Sequence, residues 1–324
     1  MAERCVIVYP LSGYINRLQA VVSAGLLAED LGARLIICWE PTELAPAEAG
    51  MILSPELVSE SVRTPAEVKD EFGFGVDEIP SYLDIDASAS RVSIRGLDKG
   101  EQHFMSELRD AIAAKPELSQ VVLVAGGKFT LNGDAELTLN QDREFRRRRA
   151  SAYAALELNS SIDEHADRQI TDHRPYAALH LRYSDRNHQA PTRAQIETAL
   201  VDIRTQTGLT SLFIASDTKA ELDHWSRAAR DLGFEPWSAE SVTLDRTDPR
   251  SALGALIDWR ILGGSEAMVF FSESSFAEEA AVATGSWESC IGLKASASRA
   301  KWVHVSTIGR AALTYPRRHG WWGR

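Results

Sequence analysis

CVIVYPLSGYINRLQAVVSAGLLAEDLGARLIICW, residues 5 to 39, decides the architecture. CVIVYP at 5 to 10 is a short β-rich run, and LSGYINR after it is a loop. Leu18, Val21, Val22 and Gly25 then fall at i, i+3, i+4 and i+7, the spacing of an amphipathic helix. Gly32 is placed to end that helix, and RLIICW at 34 to 39 reads as a second buried strand. Apolar strand, helix, apolar strand is one βαβ unit of a parallel sheet.

The same rhythm returns further along. VVLVAG at 121 to 126 is a strand, followed by a helical region containing EFRRRRASAYAAL. YAALHLRY at 176 to 183, SLFIAS at 211 to 216 and AMVFFS at 267 to 272 read as strands, separated by helices around 192 to 206, 218 to 231 and 249 to 262. This alternation specifies another doubly wound sheet. DEHADRQITDHRP at 163 to 175 is polar and ends in proline, so the domain boundary is placed near 155 to 172. The expected organisation is α/β, with two Rossmann-like domains of similar size, residues 1–160 and 161–324, and a cleft between them. Between 42 and 115, ILSPELV, IPSYLDIDAS and RVSIRGLDKG read only as short elements joined by turns. There are no repeats at solenoid periods and no low-complexity tracts.

Composition excludes several classes. A chain of 324 residues with 44% apolar and 25% charged residues is an ordinary folded protein. A net charge of -11 argues against a nucleic-acid partner, which needs a broad basic surface. FRRRRA at 145 to 150 lies among Asp142 and Glu144 and reads as a solvated helix face. Cys5, Cys38 and Cys290 are too scattered for a disulfide framework or a zinc site, which fits a reducing compartment. The N-terminus MAERCVIVYP enters a strand without a basic and apolar leader, and no run reaches the ~18 apolar residues of a membrane span. The expected location is the cytoplasm.

Ligands of open parallel sheets bind beyond the carboxyl ends of the strands. Along YAALHLRY side chains alternate, so Ala178, His180 and Arg182 share one face, opposite Ala177, Leu179 and Leu181. Asp185 follows just past the strand. A clamp of two donors is one reading, and a surface-facing pair on a half-exposed strand is the other. IASDTKAE offers Asp217 and a capping box of Thr218 with Glu221. SESSFAEEAAVATG, 272 to 285, places serines at a helix start, suited to a phosphate, or an ordinary N-cap of Ser275 with Glu278; Gly285 stops the helix.

Asp258 lies in the helix SALGALIDWRIL with Gly254, Ala255, Ile261 and Leu262 at i-4, i-3, i+3 and i+4, so its own helix gives it no basic partner. A buried carboxylate needs pairing. The two-donor edge of guanine supplies it; reaching solvent from a helix margin is the alternative.

In the first loop Gly13 permits a tight turn, and Asn16 and Arg17 lie at a helix entrance suited to an anion. GYINRL lacks the glycines of a dinucleotide fingerprint, and AGGKFT at 125 to 130 lacks the phosphate-loop spacing. DID at 84 to 86 is too short a tripeptide to carry a metal role, so no metal site is expected.

In this order, GxxNRL after the first strand, HxRxxD at 180 to 185, ASD at 215 to 217, an Asp in an apolar helix at 258 and SSF at 274 to 276, the chain resembles the fucosyltransferase superfamily with the GT-B fold. That superfamily holds α1,6-fucosyltransferases, nodulation-factor fucosyltransferases and protein O-fucosyltransferases. The resemblance spans the first forty residues and most of 175 to 285. It implies an inverting, metal-independent transfer of L-fucose from GDP-fucose to an acceptor hydroxyl, with no cofactor beyond the donor. It implies that His180 contacts ribose or phosphate and that Arg182 binds the diphosphate and stabilises departing GDP. Asp185 would hold that arginine or its loop. Asp217 and Asp258 would lie by the nucleoside, Asp258 reading guanine. Ser274, Ser275 and Phe276 would hold the β-phosphate, Asn16 and Arg17 would face the sugar, and Gly13 belongs with them to the donor-binding set.

The general base does not transfer: Leu11 and Ser12 stand before Gly13 where some protein O-fucosyltransferases carry a glutamate. Glu40 and Asp185 are the candidates. A GDP-mannose or UDP-sugar donor, or a catalytically silent nucleotide-binding protein, are the alternatives. The acceptor, a saccharide, peptide or metabolite, is not specified, and YPRRHGWWGR with Trp321 and Trp322 reads as a tail packing on the N-terminal domain, with stacking on a sugar the alternative.

Overall fold

The computed structural model describes residues 3–80, 82–97, 103–130, 139–183, 191–239, 247–272 and 274–294. Asp185 and the C-terminal tail with Trp321 and Trp322 lie outside them. The chain divides into two compact units, the first running to Asn159 and the second beginning at Ser160, with a short stretch ending at Ala252 counted with the first.

The first unit opens with strand β1 (Cys5–Pro10), helix α1 (Tyr14–Leu31) and strand β2 (Arg34–Cys38), and β1 and β2 pair in parallel. Gly32 closes α1 in the left-handed region, φ 58°, where a side chain is strained. The stretch that the periodicity left unassigned contains helices α2 (Pro55–Ser61) and α3 (Pro65–Phe72), strands β3 (Val62–Arg63), β4 (Asp84–Asp86) and β5 (Arg91–Leu97), and helix α4 (His103–Ala114). Both short helices carry a proline in the first turn behind a side-chain cap: Ser54 accepts from the Leu57 N–H, and Thr64 and Glu67 form a reciprocal capping box. Strand β6 (Gln120–Ala125) completes a sheet in the order β3-β2-β1-β6-β5-β4, parallel except for the β4–β5 pair. Asp86 of the DID tripeptide holds a turn: one oxygen accepts from Ser88 and Ala89, the other from Arg91.

Helix α5 (Leu139–Ala155) carries the arginine cluster. Arg146 and Arg147 pair with Asp142 and Glu144 along the helix, and Arg148 reaches Asp30. Arg149 departs from the solvated face, being buried with its guanidinium over the Phe145 ring.

The second unit alternates regularly. Helix α6 (Ser160–His173) buries Ile162, Ala166 and Ile170, one stripe at i, i+4 and i+8, so the polar stretch is an amphipathic helix. Then follow β7 (Tyr176–Leu181), α7 (Arg193–Thr207), β8 (Ser211–Ser216), α8 (Lys219–Asp231), β9 (Glu235–Trp237), α9 (Ser251–Gly263), β10 (Ala267–Phe271), α10 (Ser275–Thr284) and β11 (Cys290–Leu293). The sheet order is β11-β10-β7-β8-β9 and every ladder is parallel. The two strands absent from the sequence reading, β9 and β11, are three and four residues long and lie at the edges.

Ala177, Leu179 and Leu181 of β7 pack with Leu212 and Ile214 of β8, Val269 and Phe271 of β10 and the inner faces of α7 and α8. The opposite face is buried as well, so the central strand is not half-exposed.

Candidate functional site

Strand β7 is the middle of its sheet, and its exit gathers the residues of three elements. The ladders set His180 beside Phe270 on one side and Ala215 on the other. His180 is 7% exposed, and its ring stacks on Phe276 of α10 at 5.1 Å and 15°. Burial pushes the imidazole down to about 4, a shift that Asp217 opposes and Arg182 reinforces. His180 is therefore neutral near pH 7, and its Nδ1 is buried without a hydrogen-bond partner. A neutral imidazole exchanges hydrogen bonds and brings no charge of its own.

Arg182 is one turn of the pleat beyond His180, partly exposed just past the strand. Its backbone is fixed from β8: Asp217 Oδ1 accepts the N–H of Tyr183 at 2.9 Å. Asp217 thus has a structural engagement that the reading of it as a nucleoside contact did not include. The capping box of Thr218 with Glu221 does not form either. Thr218 makes no side-chain cap, and its Oγ1 and Glu221 Oε2 are both buried without partners.

The start of α10 has a similar feature. Ser274, not Ser275, is the N-cap residue; it is 1% exposed, makes no side-chain cap, and its Oγ has no hydrogen-bond partner. The ordinary N-cap reading of Ser275 with Glu278 therefore gives way, since the helix begins one residue earlier and its capping hydroxyl is unbound. Ser275 and Phe276 follow in the first turn, both partly exposed. A buried hydroxyl without a partner costs free energy, and at a helix N-terminus the missing partner is best supplied by an anion.

Asp258 lies on α9, and among the described residues neither a hydrogen bond nor a neighbouring charge acts on its carboxyl. Burial alone pushes its carboxyl up to about 7, although the residue keeps some surface. Asp163 takes the arginine of this helix instead: Arg260 Nε donates to it at 2.8 Å. A carboxyl withdrawn from water and left without a cation is one that a two-donor ligand would stabilise in its charged form.

In the first unit the corresponding strand exits are differently occupied. Gly13 sits at φ −71°, a conformation open to any residue, and the left-handed position is Ser12 at φ 70°. A methyl on Gly13 would meet nothing within 4 Å, so the glycine is not demanded by the turn or by neighbouring atoms. Asn16 is partly exposed in the first turn of α1. Arg17 is fully buried, a correction to its expected place facing a ligand. Its Nε donates to Ser12 O at 3.1 Å, Nη1 to Glu40 O at 2.7 Å and Nη2 to Thr42 Oγ1 at 3.0 Å, and it lies over the Trp39 ring. It joins the loops after β1 and β2.

Glu40 is exposed at the end of β2. Next to it, burial pushes the Cys38 thiol up to about 12, so that sulfur is inert. Among the described residues no group of three or more His, Cys, Asp or Glu side chains is placed to hold a metal ion. No helix among them is long and apolar enough to cross a membrane.

No protein-family model matches the chain, and no curated protein matches it. Solved structures do. NodZ α-1,6-fucosyltransferase soaked with GDP-fucose is 18% identical, with a TM-score of 0.59 over 93% of this chain and 99% of that one. POFUT1 in complex with GDP-fucose is 14% identical, with a TM-score of 0.53 over 89% and 97%. A variant of FUT1 of Arabidopsis thaliana in complex with GDP is 11% identical, with a TM-score of 0.58 over 87% and 69%. The chain has the GT-B fold of these fucosyltransferases.

Proposed function

We propose that this protein is a glycosyltransferase that moves L-fucose from GDP-fucose to an acceptor hydroxyl with inversion at the anomeric carbon. The observation that carries the reading is the set of buried polar atoms without protein partners at the exits of β7 and β10, His180 Nδ1 and Ser274 Oγ, together with the unpaired carboxyl of Asp258. Support comes from the fold, shared with proteins described as bound to GDP or GDP-fucose.

Asp258, once ionised, would accept N1–H and the exocyclic NH2 of guanine. His180 would exchange a hydrogen bond with ribose or phosphate. Ser274, Ser275 and the first amides of α10 would hold the β-phosphate, with Phe276 keeping the His180 ring in place. In the transfer the acceptor oxygen attacks the anomeric carbon, the bond from that carbon to the β-phosphate oxygen breaks, and GDP departs with the electron pair. Arg182 would neutralise the charge that builds on that oxygen, because guanidinium keeps its proton and bonds phosphate oxygens in a planar fork. The acceptor proton would pass to a carboxylate, Glu40 or Asp185. In this reading these groups carry the diphosphate charge and no metal is required.

Release of GDP from GDP-fucose, GDP-mannose and a UDP-sugar, with and without a panel of saccharide and peptide acceptors and with chelator added, tests it. The expected result is chelator-insensitive turnover of GDP-fucose. Preference for a UDP-sugar would overturn the donor assignment. Tight GDP binding without turnover on any acceptor or water would make the chain a nucleotide-binding protein.

A further inference from the structure

One hydroxyl outside the sequence-derived set occupies the same corner of the second unit. The parallel ladder ends on the pair of Phe270 of β10 with His180 of β7, and Ser272 follows just past the end of β10. Phe271 belongs to the apolar cluster packed under α7 and α8, which turns its neighbours Phe270 and Ser272 to the opposite, His180-bearing face. The Ser272 backbone is pinned, its N–H donating to Leu293 O at 2.9 Å. Its Oγ is nevertheless buried with no hydrogen-bond partner, like Ser274 Oγ two residues later and His180 Nδ1 across the ladder.

The room there is kept by β11. A methyl placed on Gly292 would lie 3.4 Å from both the Ser272 Cβ and the Phe270 ring, at the short limit of ordinary contact, so a side chain there presses on Ser272. Three unpartnered buried polar atoms thus lie at and just past the ends of two adjacent strands, whereas buried polar groups are nearly always bonded.

We propose that Ser272 is a further binding residue for the donor, its hydroxyl donating to a diphosphate oxygen on the His180-bearing face. The inference rests on the nucleotide-sugar reading of this site. It differs from the Ser274 assignment in mechanism as well as in place, because Ser272 is the last strand-side residue before α10 and does not share that helix's N-terminal dipole.

Calorimetric titration of wild type, Ser272→Ala and Gly292→Ala with GDP and with guanosine tests it. The alanine variant loses no protein hydrogen bond, so its unliganded melting temperature is expected to stay at the wild-type value. Its affinity for GDP should fall about tenfold or more, the usual loss for a hydrogen bond to a charged group, with guanosine binding unchanged. Gly292→Ala should reproduce that phosphate-dependent loss. Wild-type affinity of Ser272→Ala for GDP, or an equal loss for guanosine, would overturn the assignment of Ser272 alone. Absence of GDP binding by the wild-type protein would overturn the nucleotide reading and this inference with it.

Discussion

The carboxyl ends of the two sheets are built alike and equipped differently. In the first unit the charged side chain at the strand exits, Arg17, is fully buried, and each of its three nitrogens donates to the protein. In the second, His180 Nδ1, Ser272 Oγ and Ser274 Oγ are buried with nothing to bond, and Asp258 is withdrawn from water without a cation. The first unit holds similar atoms, but at its strand exits the described residues show Tyr9 Oη, set among the apolar core of the sheet, while Arg34 Nε and Gln120 Oε1 lie at strand starts and Arg146 Nε on α5. A strand end that satisfies its own polar groups is a structural joint, while one that leaves several unsatisfied is unstable alone and gains most when a polar ligand arrives. The difference separates residues whose loss harms folding from residues whose loss harms binding.

The largest expected effect lies on the structural side. Arg17→Ala removes three hydrogen bonds from a buried position and should lower stability by about 3 kcal/mol or more, read as a clear fall in denaturant midpoint. If that variant stayed as stable as wild type and lost GDP affinity instead, the distinction between the two ends would break. Next is Arg182→Ala, expected to reduce turnover roughly a hundredfold with little change in melting temperature. Unchanged transfer would remove Arg182 from the chemistry.

Asp258→Asn sharpens the contrast through pH. The Asp258 carboxyl titrates near 7 in the folded protein, against about 3.9 in an unfolded chain, so the folded state binds more protons between those values. Its ionisation therefore costs stability progressively above about pH 4 and fully above pH 7. The asparagine variant should be more stable than wild type at pH 8, by on the order of 2 kcal/mol, with the advantage shrinking towards pH 5. His180 acts in the opposite sense: its folded value of about 4 lies below the ordinary 6.5, so the unfolded chain takes up a proton first and stability falls as acid is added between those values. An Asp258→Asn advantage independent of pH would show that the carboxyl is ordinary. Ser274→Ala carries the smallest effect, a loss of about tenfold in GDP affinity with an unliganded melting temperature close to wild type.

Much of this was legible in the sequence where local pattern and structure agree. The βαβ unit at residues 5 to 39 and the three central strands of the second unit follow directly from apolar runs and helical spacing. Their order brought His180, Arg182 and Ser274 to one strand end because parallel strands deliver their exits to the same edge. What the sequence hid is what partners do. Arg17 reads as a ligand-binding residue until the exits of β1 and β2 are seen to supply three acceptors for it. Asp217 also accepts the Tyr183 amide, an engagement that its letters do not announce. The capping boxes at Thr218 and Ser275 had the right letters and did not form, whereas the box Thr64-Pro65-Ala66-Glu67 and the simple cap at Ser54 did and went unread in a region without periodicity. Ser272 could have been found from alternation along AMVFFS, but only the ladder to β7 brings the end of its strand beside His180.

The most direct test of the central claim is the thermal stability of the wild-type protein with GDP, UDP, ADP and CMP, set beside Asp258→Ala. A ligand at 100 times its dissociation constant adds about 2.7 kcal/mol, an unmistakable rise in melting temperature. Selective stabilisation by GDP that disappears in Asp258→Ala is the predicted result, and no response to GDP, or a larger one to UDP, would contradict it.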